Sequence, residues 1–125
     1  MIDILNQTRD LLVAEGYIKE ENFSTDTEIF TSELLPFMAL GRDNVGYTTR
    51  SRSIFEDGSE LSAIKGGGAH SSPGTCEIGF FEANDGNLSD FFESLWGDTV
   101  LGYQTPQEVL DWCKLWVIRN AIEIG

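Results

Sequence analysis

Residues 45–65, VGYTTRSRSIFEDGSELSAIK, carry the pattern of a β-hairpin. Aromatic and β-branched residues alternate with polar ones in the first run, and a second apolar run follows the sequence EDGSE. An Asp-Gly pair between two such runs is a strong signal for a tight turn. We therefore predict antiparallel strands near 45–55 and 60–65. Arg50 and Arg52 then point to one face of the sheet, where they either anchor a binding surface or balance neighbouring acids.

Helical patterns precede the hairpin. Residues 3–15 place Ile4, Leu5, Thr8, Leu11 and Leu12 at i, i+1, i+4, i+7 and i+8. Gly16 follows at the position of a helix cap, so we predict an amphipathic helix. The run from Thr25 to Glu28, TDTE, resembles a capping box, and apolar residues continue at helical spacing until Pro36. The sequence therefore predicts a second, shorter helix in this region.

Strands and helices alternate after the hairpin. The run TCEIGFFEA (75–83) predicts a third strand, NLSDFFESLWG (87–97) predicts a helix, and DTVLGYQ (98–104) predicts a short strand. The run from Thr105 to Glu108, TPQE, combines an N-cap threonine, a proline at the first helical position and a glutamate three residues after the cap. We predict that the last helix begins here.

Together these elements predict an α+β fold in the order ααβββαβα. We expect a small antiparallel sheet of three to four strands packed against three to four helices. A chain of 125 residues suits one compact core, so residues 1–125 are predicted to form a single acidic α+β domain. Cys76 and Cys113 stand far apart and outside any Cys-x-x-Cys or Cys/His spacing, which predicts two buried free thiols.

The last predicted helix carries more apolar residues than one face can hold. Such a wide apolar surface implies either burial on two sides or one side held for a partner. The apolar residues are Val109, Leu110, Cys113, Trp116 and Val117 on one stripe, with Trp112, Leu115, Ile118 and Ile122 broadening it.

Charge is the strongest global signal, because eight Lys and Arg residues stand against twenty-one Asp and Glu residues, a net charge of −13. Residues 1–40 carry a net −6, residues 41–75 are neutral and residues 76–125 carry −7. Between Lys65 and Lys114 the sequence contains Asp and Glu residues but no Lys or Arg. Such a field repels DNA, RNA and anionic membranes and attracts basic surfaces. Plain solubility is the alternative interpretation of the same charge.

The glycine-rich segment KGGGAHSSPGT (65–75) raises the question of an anion site. It leads into a strand rather than a helix and has neither the P-loop nor the dinucleotide-binding glycine pattern. Its amides, lysine and serines still suit an anion, and a mobile connection between strands is the alternative. The single histidine has no triad or nucleophile-elbow pattern around it, so we predict no catalytic residue. The candidate anion-binding residues are Lys65, Gly66, Gly67, Gly68, His70, Ser71 and Ser72.

The composition predicts neither a metal nor a cofactor. With one histidine and no paired cysteines, only carboxylates remain as ligands, and the runs DNVG and NDGN lack the spacing of a calcium loop.

The first sixteen residues, MIDILNQTRDLLVAEG, include charges and no apolar signal segment, and no apolar run approaches the length of a membrane span. We therefore expect a cytoplasmic protein, in the host cytoplasm if it is phage-encoded, that binds neither membranes nor nucleic acid directly.

Charge and size favour a protein whose partner is a larger protein with a basic surface. Carboxylates spaced along a surface imitate the phosphates of a nucleic acid and pair with Arg or Lys of the partner. We expect a non-enzymatic inhibitor that occludes a nucleic-acid-handling surface, in the manner of phage anti-defence proteins such as anti-CRISPR and anti-restriction proteins, which are of this size and charge. The predicted partner-binding residues are Glu20, Glu21, Asp26, Glu28, Glu82, Asp85, Asp90, Phe91, Glu93, Trp96 and Asp98.

Two alternatives stay open at this point. An immunity protein or antitoxin that neutralises a cationic toxin has the same features. A protein or enzyme that holds a nucleotide or another small anion in the 65–75 loop belongs to a different class. The sequence also leaves open whether the protein forms a homodimer.

Overall fold

A five-strand antiparallel sheet and three helices make up the described part of the chain, so the predicted α+β class is confirmed. The computed structural model describes residues 4–31, 45–66, 71 and 74–124. In chain order, the elements are α1 (Ile4–Ala14), a 3₁₀ helix (Glu20–Asn22), β1 (Phe23–Thr31), β2 (Val45–Ile54), β3 (Glu60–Gly66), β4 (Cys76–Phe81), α2 (Glu93–Trp96), β5 (Leu101–Gln104) and α3 (Pro106–Ile124). The strands lie side by side in the order β1-β2-β3-β4-β5. The sheet therefore has one strand more than the predicted maximum of four.

The predicted hairpin is confirmed, and the bounds of β2 and β3 agree with the prediction to within one residue. Ser53 lies opposite Leu61 and Ser51 opposite Ala63. Gly58 has φ +89° in the connecting turn, a conformation that glycine adopts without steric cost. The Asp-Gly signal therefore marks a real turn, and the hairpin forms the centre of the sheet.

The predicted second helix is wrong, because the run from Thr25 to Glu28 lies in strand β1. This strand pairs with β2 in unbroken register, from Phe23 opposite Ser53 to the far end of both strands. Its sequence, FSTDTEIFT, also places aromatic and β-branched residues at alternate positions, which suits a strand. The hydrogen bonds that a full-length neighbouring strand provides outweigh the stabilisation that one capping box gives a helix. The end of the predicted helix, up to Pro36, lies outside the described residues.

The predicted helix over 87–97 is much shorter in the structure, where α2 covers only Glu93–Trp96. Leu88 instead forms an isolated antiparallel bridge with Phe81, so the first part of the segment extends the sheet. The predicted stop is confirmed, since Gly97 has φ +83° and its backbone N–H donates to the carbonyl of Glu93. Only these four residues of the predicted segment are helical, and pairing at Leu88 takes the start of the segment into the sheet.

Helix α3 begins as predicted. The backbone N–H of Thr105 donates to the Glu108 carboxylate at 3.1 Å, and the backbone N–H of Glu108 donates to the Thr105 hydroxyl at 3.3 Å. These two reciprocal bonds are those of a capping box. They fix the start of the helix immediately after β5.

The core lies between the sheet and the helices α1 and α3, which pack against each other. Trp116 of α3 is fully buried and stacks on Phe80 of β4, with ring centroids 4.5 Å apart and ring planes inclined by 3°. The indole N–H of Trp116 donates to the hydroxyl of the buried Ser59 at 3.0 Å. The other large, fully buried side chains include Leu5, Leu12, Leu61, Ile78, Phe92 and Val109.

Both cysteines are buried free thiols, as predicted. Burial raises the pKa of Cys76 to about 12, against a smaller opposing effect of Lys65. Burial also raises the pKa of Cys113, and the neighbouring Cys76 adds to this effect. Both groups therefore stay protonated at neutral pH and act as small apolar side chains of the core.

A polar network ties the hairpin turn to α3. Asp57 accepts hydrogen bonds from the backbone N–H and the hydroxyl of Ser59, and its other oxygen accepts one from the Asn120 amide at 2.8 Å. Partial burial raises the pKa of Asp57, but these hydrogen bonds together outweigh it and hold the pKa below its ordinary value. The stabilisation is therefore complete at neutral pH and is lost as the pH falls through the lowered pKa of the folded state.

The exchange Asp57→Asn should lower the free energy of unfolding at pH 7, and its difference from wild type should shrink as the medium is acidified. Urea unfolding followed across a pH series measures both quantities. Glu56→Gln, at an exposed position in the same turn, is the control and should show no such convergence. A difference that stays constant down to the acid limit contradicts the assigned role of the Asp57 carboxylate.

The exchange Trp116→Ala should cost about 3–5 kcal/mol of unfolding free energy, because it opens a cavity against Phe80. Trp116→Phe should cost less, since it keeps an aromatic ring and loses chiefly the hydrogen bond to Ser59. Equilibrium unfolding in urea measures both variants. Equal costs for the two variants would show that ring packing is not the larger contribution.

Candidate protein-binding surface

The predicted partner-binding acids fall into two groups in the structure. Glu20 and Glu21 lie exposed in the 3₁₀ helix, and Asp26 is exposed on the adjoining strand β1, which also contains the backbone of Glu28. The second group belongs to the connection between β4 and β5 and to α2. It comprises Glu82, Asp85, Asp90, Glu93 and Asp98, all exposed except the half-buried Glu82.

The two groups do not form one surface. The first lies at the β1 edge of the sheet and the second beside β4 and β5, at the opposite edge. Neighbouring strands are about 4.8 Å apart, so β1 and β5 are separated by roughly 19 Å. A single small contact area therefore includes one group or the other.

An apolar groove lies beside the second acidic group, between the segment containing α2 and the outer side of α3. We call it the α2–α3 groove. Its lining residues are Phe91, Leu95, Trp112, Leu115, Ile118, Arg119 and Ile122. The exposed fractions are 55% for Leu95, 50% for Leu115, 47% for Ile118 and 74% for Ile122. Contiguous exposed aliphatic side chains of this kind typically mark a binding surface.

Aromatic packing holds the floor of the groove in place. Phe91 is half-buried and meets Trp112 edge-on at 6.2 Å and Trp116 edge-on at 5.5 Å between ring centroids. The indole N–H of Trp112 donates to the Gln104 side chain at 3.0 Å. Phe91 therefore serves as a fixed base of the groove. Of Trp96, the other predicted aromatic anchor, only the backbone is described.

The charge around the groove is mainly acidic. Asp90 directly precedes the lining residue Phe91, and Glu93 lies in the chain between Phe91 and Leu95; both acids are exposed. The exposed Asp111 precedes Leu115 by four residues on α3, which places the two on the same helix face.

The cation in the groove, Arg119, is already engaged. Its guanidinium donates to the Glu82 carboxylate at 2.9 Å and to the Asn120 side chain at 3.0 Å. It also lies over the Trp116 ring, 4.8 Å from the centroid. The positive charge of Arg119 is thus balanced by Glu82 within the protein. Lys114, exposed four residues before Ile118 on α3, is a second cation beside the groove, and the three exposed acids Asp90, Glu93 and Asp111 outnumber it.

Sequence reasoning missed the aliphatic residues of the groove as binding residues. The signal was present, because the apolar stripe of α3 is wider than one buried face requires. Its inner side is now accounted for by Val109, Cys113 and Trp116, all fully buried. The other side carries the exposed Leu115, Ile118 and Ile122, so the described residues do not show burial of α3 on two sides.

The glycine-rich loop is described only in part. The ammonium of Lys65 donates to the carbonyl of Thr75 at 3.1 Å, and the N–H of Gly66 donates to the Ser71 hydroxyl at 3.3 Å. The first bond joins the two ends of the loop, and the second joins its start to its middle. The remaining predicted anion-binding residues, Gly67, Gly68, His70 and Ser72, lie outside the described residues, so the anion site stays a prediction.

The arginines of β2 lie on the sheet face opposite the core, where both line a shallow crevice. Arg52 is paired through two hydrogen bonds with Glu60, at 3.0 and 2.9 Å. These bonds and the charge of Glu60 raise the pKa of Arg52. Arg50 lies opposite Asp26 in the register of β1 and β2. Of the two interpretations given above, Arg52 fits the balancing of neighbouring acids.

Replacing Leu115 and Ile118 together by serine should reduce the binding of Nile red, an uncharged apolar dye, because both side chains line the groove. The free energy of unfolding should change by no more than about 1 kcal/mol, since both positions are already half-exposed. Dye fluorescence and urea unfolding measure the two effects. Ile54→Ser, at a position that is 40% exposed on the other sheet face, should leave dye binding unchanged. Equal dye binding by all variants contradicts an open apolar groove.

Among the residues that the structure describes, no cluster of three or more His, Cys, Asp or Glu side chains is arranged to hold a metal ion. Within the same residues, no helix has the length and apolar character needed to cross a bilayer. Comparisons with protein-family models, with curated proteins and with solved structures find no match for this chain.

Proposed function

We propose that the protein is a non-enzymatic inhibitor that binds a larger protein and occludes its basic, nucleic-acid-handling surface, in the manner of a phage anti-defence protein. The observation that carries the proposal is the α2–α3 groove, an exposed apolar surface beside exposed carboxylates. The combination of an apolar centre and a charged rim is the usual composition of a protein interface.

The acids and the groove have different roles in this proposal. A net charge of −13 accelerates encounter with a cationic surface and disfavours encounter with nucleic acid or with acidic proteins. The aliphatic side chains then exclude water and slow dissociation, because most binding energy comes from a few desolvated residues near the centre of an interface. Salt should therefore weaken binding mainly through the association rate.

The choice of a nucleic-acid-handling target rests on the local sign of the charge. Asp85, Asp90, Glu93 and Asp98 are exposed within one chain segment that contains no Lys or Arg. A row of carboxylates offers the Arg and Lys side chains of a nucleic-acid groove the same kind of charge-assisted partner as phosphates do. A partner that uses the same Arg and Lys side chains to bind DNA or RNA cannot bind the nucleic acid and this protein at the same time.

The proposal is tested by capture of partners from a lysate of the source cells on the immobilised protein at low salt. A retained protein should be basic, and an excess of duplex DNA should release it, because both compete for one surface. Its identity separates a defence nuclease from a cationic toxin. A retained protein that binds DNA equally well in the presence and absence of the inhibitor contradicts occlusion.

Charge-reversal variants identify which acids take part. Asp90→Lys combined with Glu93→Lys should weaken capture by about tenfold or more, through lost attraction and new repulsion. The matched control, Glu20→Lys with Glu21→Lys, makes the same charge change at the other sheet edge and should have a smaller effect. The rate of association, measured by surface plasmon resonance, provides the comparison. Equal losses for the two pairs would mean that net charge alone governs binding.

A further inference from the structure

We infer that the α2–α3 groove receives an amphipathic helix of the partner, one that presents an apolar stripe flanked by lysine or arginine. The inference rests on the proposed function and names the partner segment that the same surface binds. Three features of the groove carry it: the spacing of its apolar residues, the kind of backbone that lines it, and the sign of the surrounding charge.

The spacing suits a helix of about three turns. Leu115, Ile118 and Ile122 follow one another at i, i+3 and i+7 along α3, and Trp112 extends the row by one turn. From Trp112 to Ile122 the row is about 15 Å long. Such a row forms a ridge beside which the side chains of a second helix pack, at an interaxial distance of about 8–10 Å.

The lining favours a helix over an extended peptide. The wall from Trp112 to Ile122 is built from side chains of α3, whose backbone groups bond within the helix. An extended peptide laid on this wall would bury its own N–H and C=O groups against aliphatic carbon without partners. A helix satisfies those groups internally and presents only side chains, as in other complexes in which an amphipathic helix occupies a groove.

The charge decides which residues flank the stripe of the incoming helix. Asp90 directly precedes Phe91, Glu93 lies between Phe91 and Leu95 in the chain, and Asp111 precedes the apolar row on α3; all three are exposed. The guanidinium of Arg119 is paired with Glu82, so it balances an acid of the same chain. Lys114, exposed beside the row on α3, is the other cation, and the three acids leave a net negative charge around the groove. Lysine or arginine at the borders of the partner's stripe therefore finds complementary charge, whereas glutamate is repelled.

The same observations disfavour two other occupants. A second copy of the chain would bring two acidic rims together, each on a molecule of charge −13. A membrane surface rich in anionic lipid would be repelled by Asp90, Glu93 and Asp111. Both are direct outcomes of the experiment that follows.

The test uses a synthetic peptide of about 15 residues, or four helical turns, with leucine on one face and lysine and alanine elsewhere. One control peptide has the same composition in scrambled order, which removes the apolar face and keeps the charge. A second control has glutamate in place of lysine. Fluorescence anisotropy with the full chain should give binding of the first peptide at least about tenfold tighter than of either control.

Protein variants locate the binding site. Ile118→Ser should weaken the first peptide by about tenfold, since the lost side chain is desolvated in the complex. The control Ile54→Ser should leave its affinity unchanged. Circular dichroism melting verifies that both variants fold. An unchanged affinity for Ile118→Ser, or equal binding of the scrambled peptide, overturns the inference.

Two further results would also overturn the inference. One is self-association of the wild-type protein in sedimentation equilibrium that Ile118→Ser abolishes, because the occupant is then a second copy. The other is groove-dependent binding to vesicles of phosphatidylserine and phosphatidylcholine.

If the peptide does not bind while DNA still releases a captured partner, the helix inference alone is lost. If the peptide binds at the groove but DNA releases no captured partner, the proposed function fails and the groove's preference for basic helices stands.

Discussion

The stacking of Trp116 on Phe80 is the contact on which the arrangement of the molecule depends. It joins the last helix to strand β4 through parallel rings 4.5 Å apart, and the indole N–H adds a bond to Ser59 at the hairpin turn. Arg119, three residues after Trp116, covers the outer face of the same indole and pairs with Glu82. These contacts fix the rotation of α3 about its axis. They therefore also fix which of its side chains point away from the core.

The outward side of α3 is apolar where an ordinary surface helix is polar. Leu115, Ile118 and Ile122 are held outward by the packing of Trp116 inward, and the segment containing Phe91 and Leu95 provides the second wall. Exposed aliphatic side chains lower solubility, and the strong negative charge of the chain offsets that tendency. Under the proposed function, the charge keeps the protein dissolved until the groove meets a basic partner with an apolar stripe.

Local signals in the sequence predicted the elements whose structure is determined locally. The Asp-Gly turn and the capping box at Thr105 were sufficient for the hairpin and for the start of α3. Strand β1 was mistaken for a helix because its partner strand, β2, lies about twenty residues away in the sequence. The periodicity of a single segment carries no information about such a distant partner.

The groove was foreseen only as an excess of apolar residues on α3. Which side of α3 is exposed depends on the packing of Trp116 against Phe80. The spacing of apolar residues along the helix does not predict that contact. The first acidic group was placed with the second because sequence distance does not show that they lie at opposite sheet edges.

The central claim is that the outward side of α3 is the surface that meets a partner. Methyl NMR spectra of protein labelled at leucine and isoleucine, recorded during titration with the leucine-faced, lysine-flanked peptide, test it residue by residue. The largest shifts should occur at Leu95, Leu115, Ile118 and Ile122, with Ile54 and Ile64 on the other sheet face unaffected. Shifts that are largest at Ile54 and Ile64, with the groove methyls unchanged, would contradict the claim and move the binding surface to the open face of the sheet.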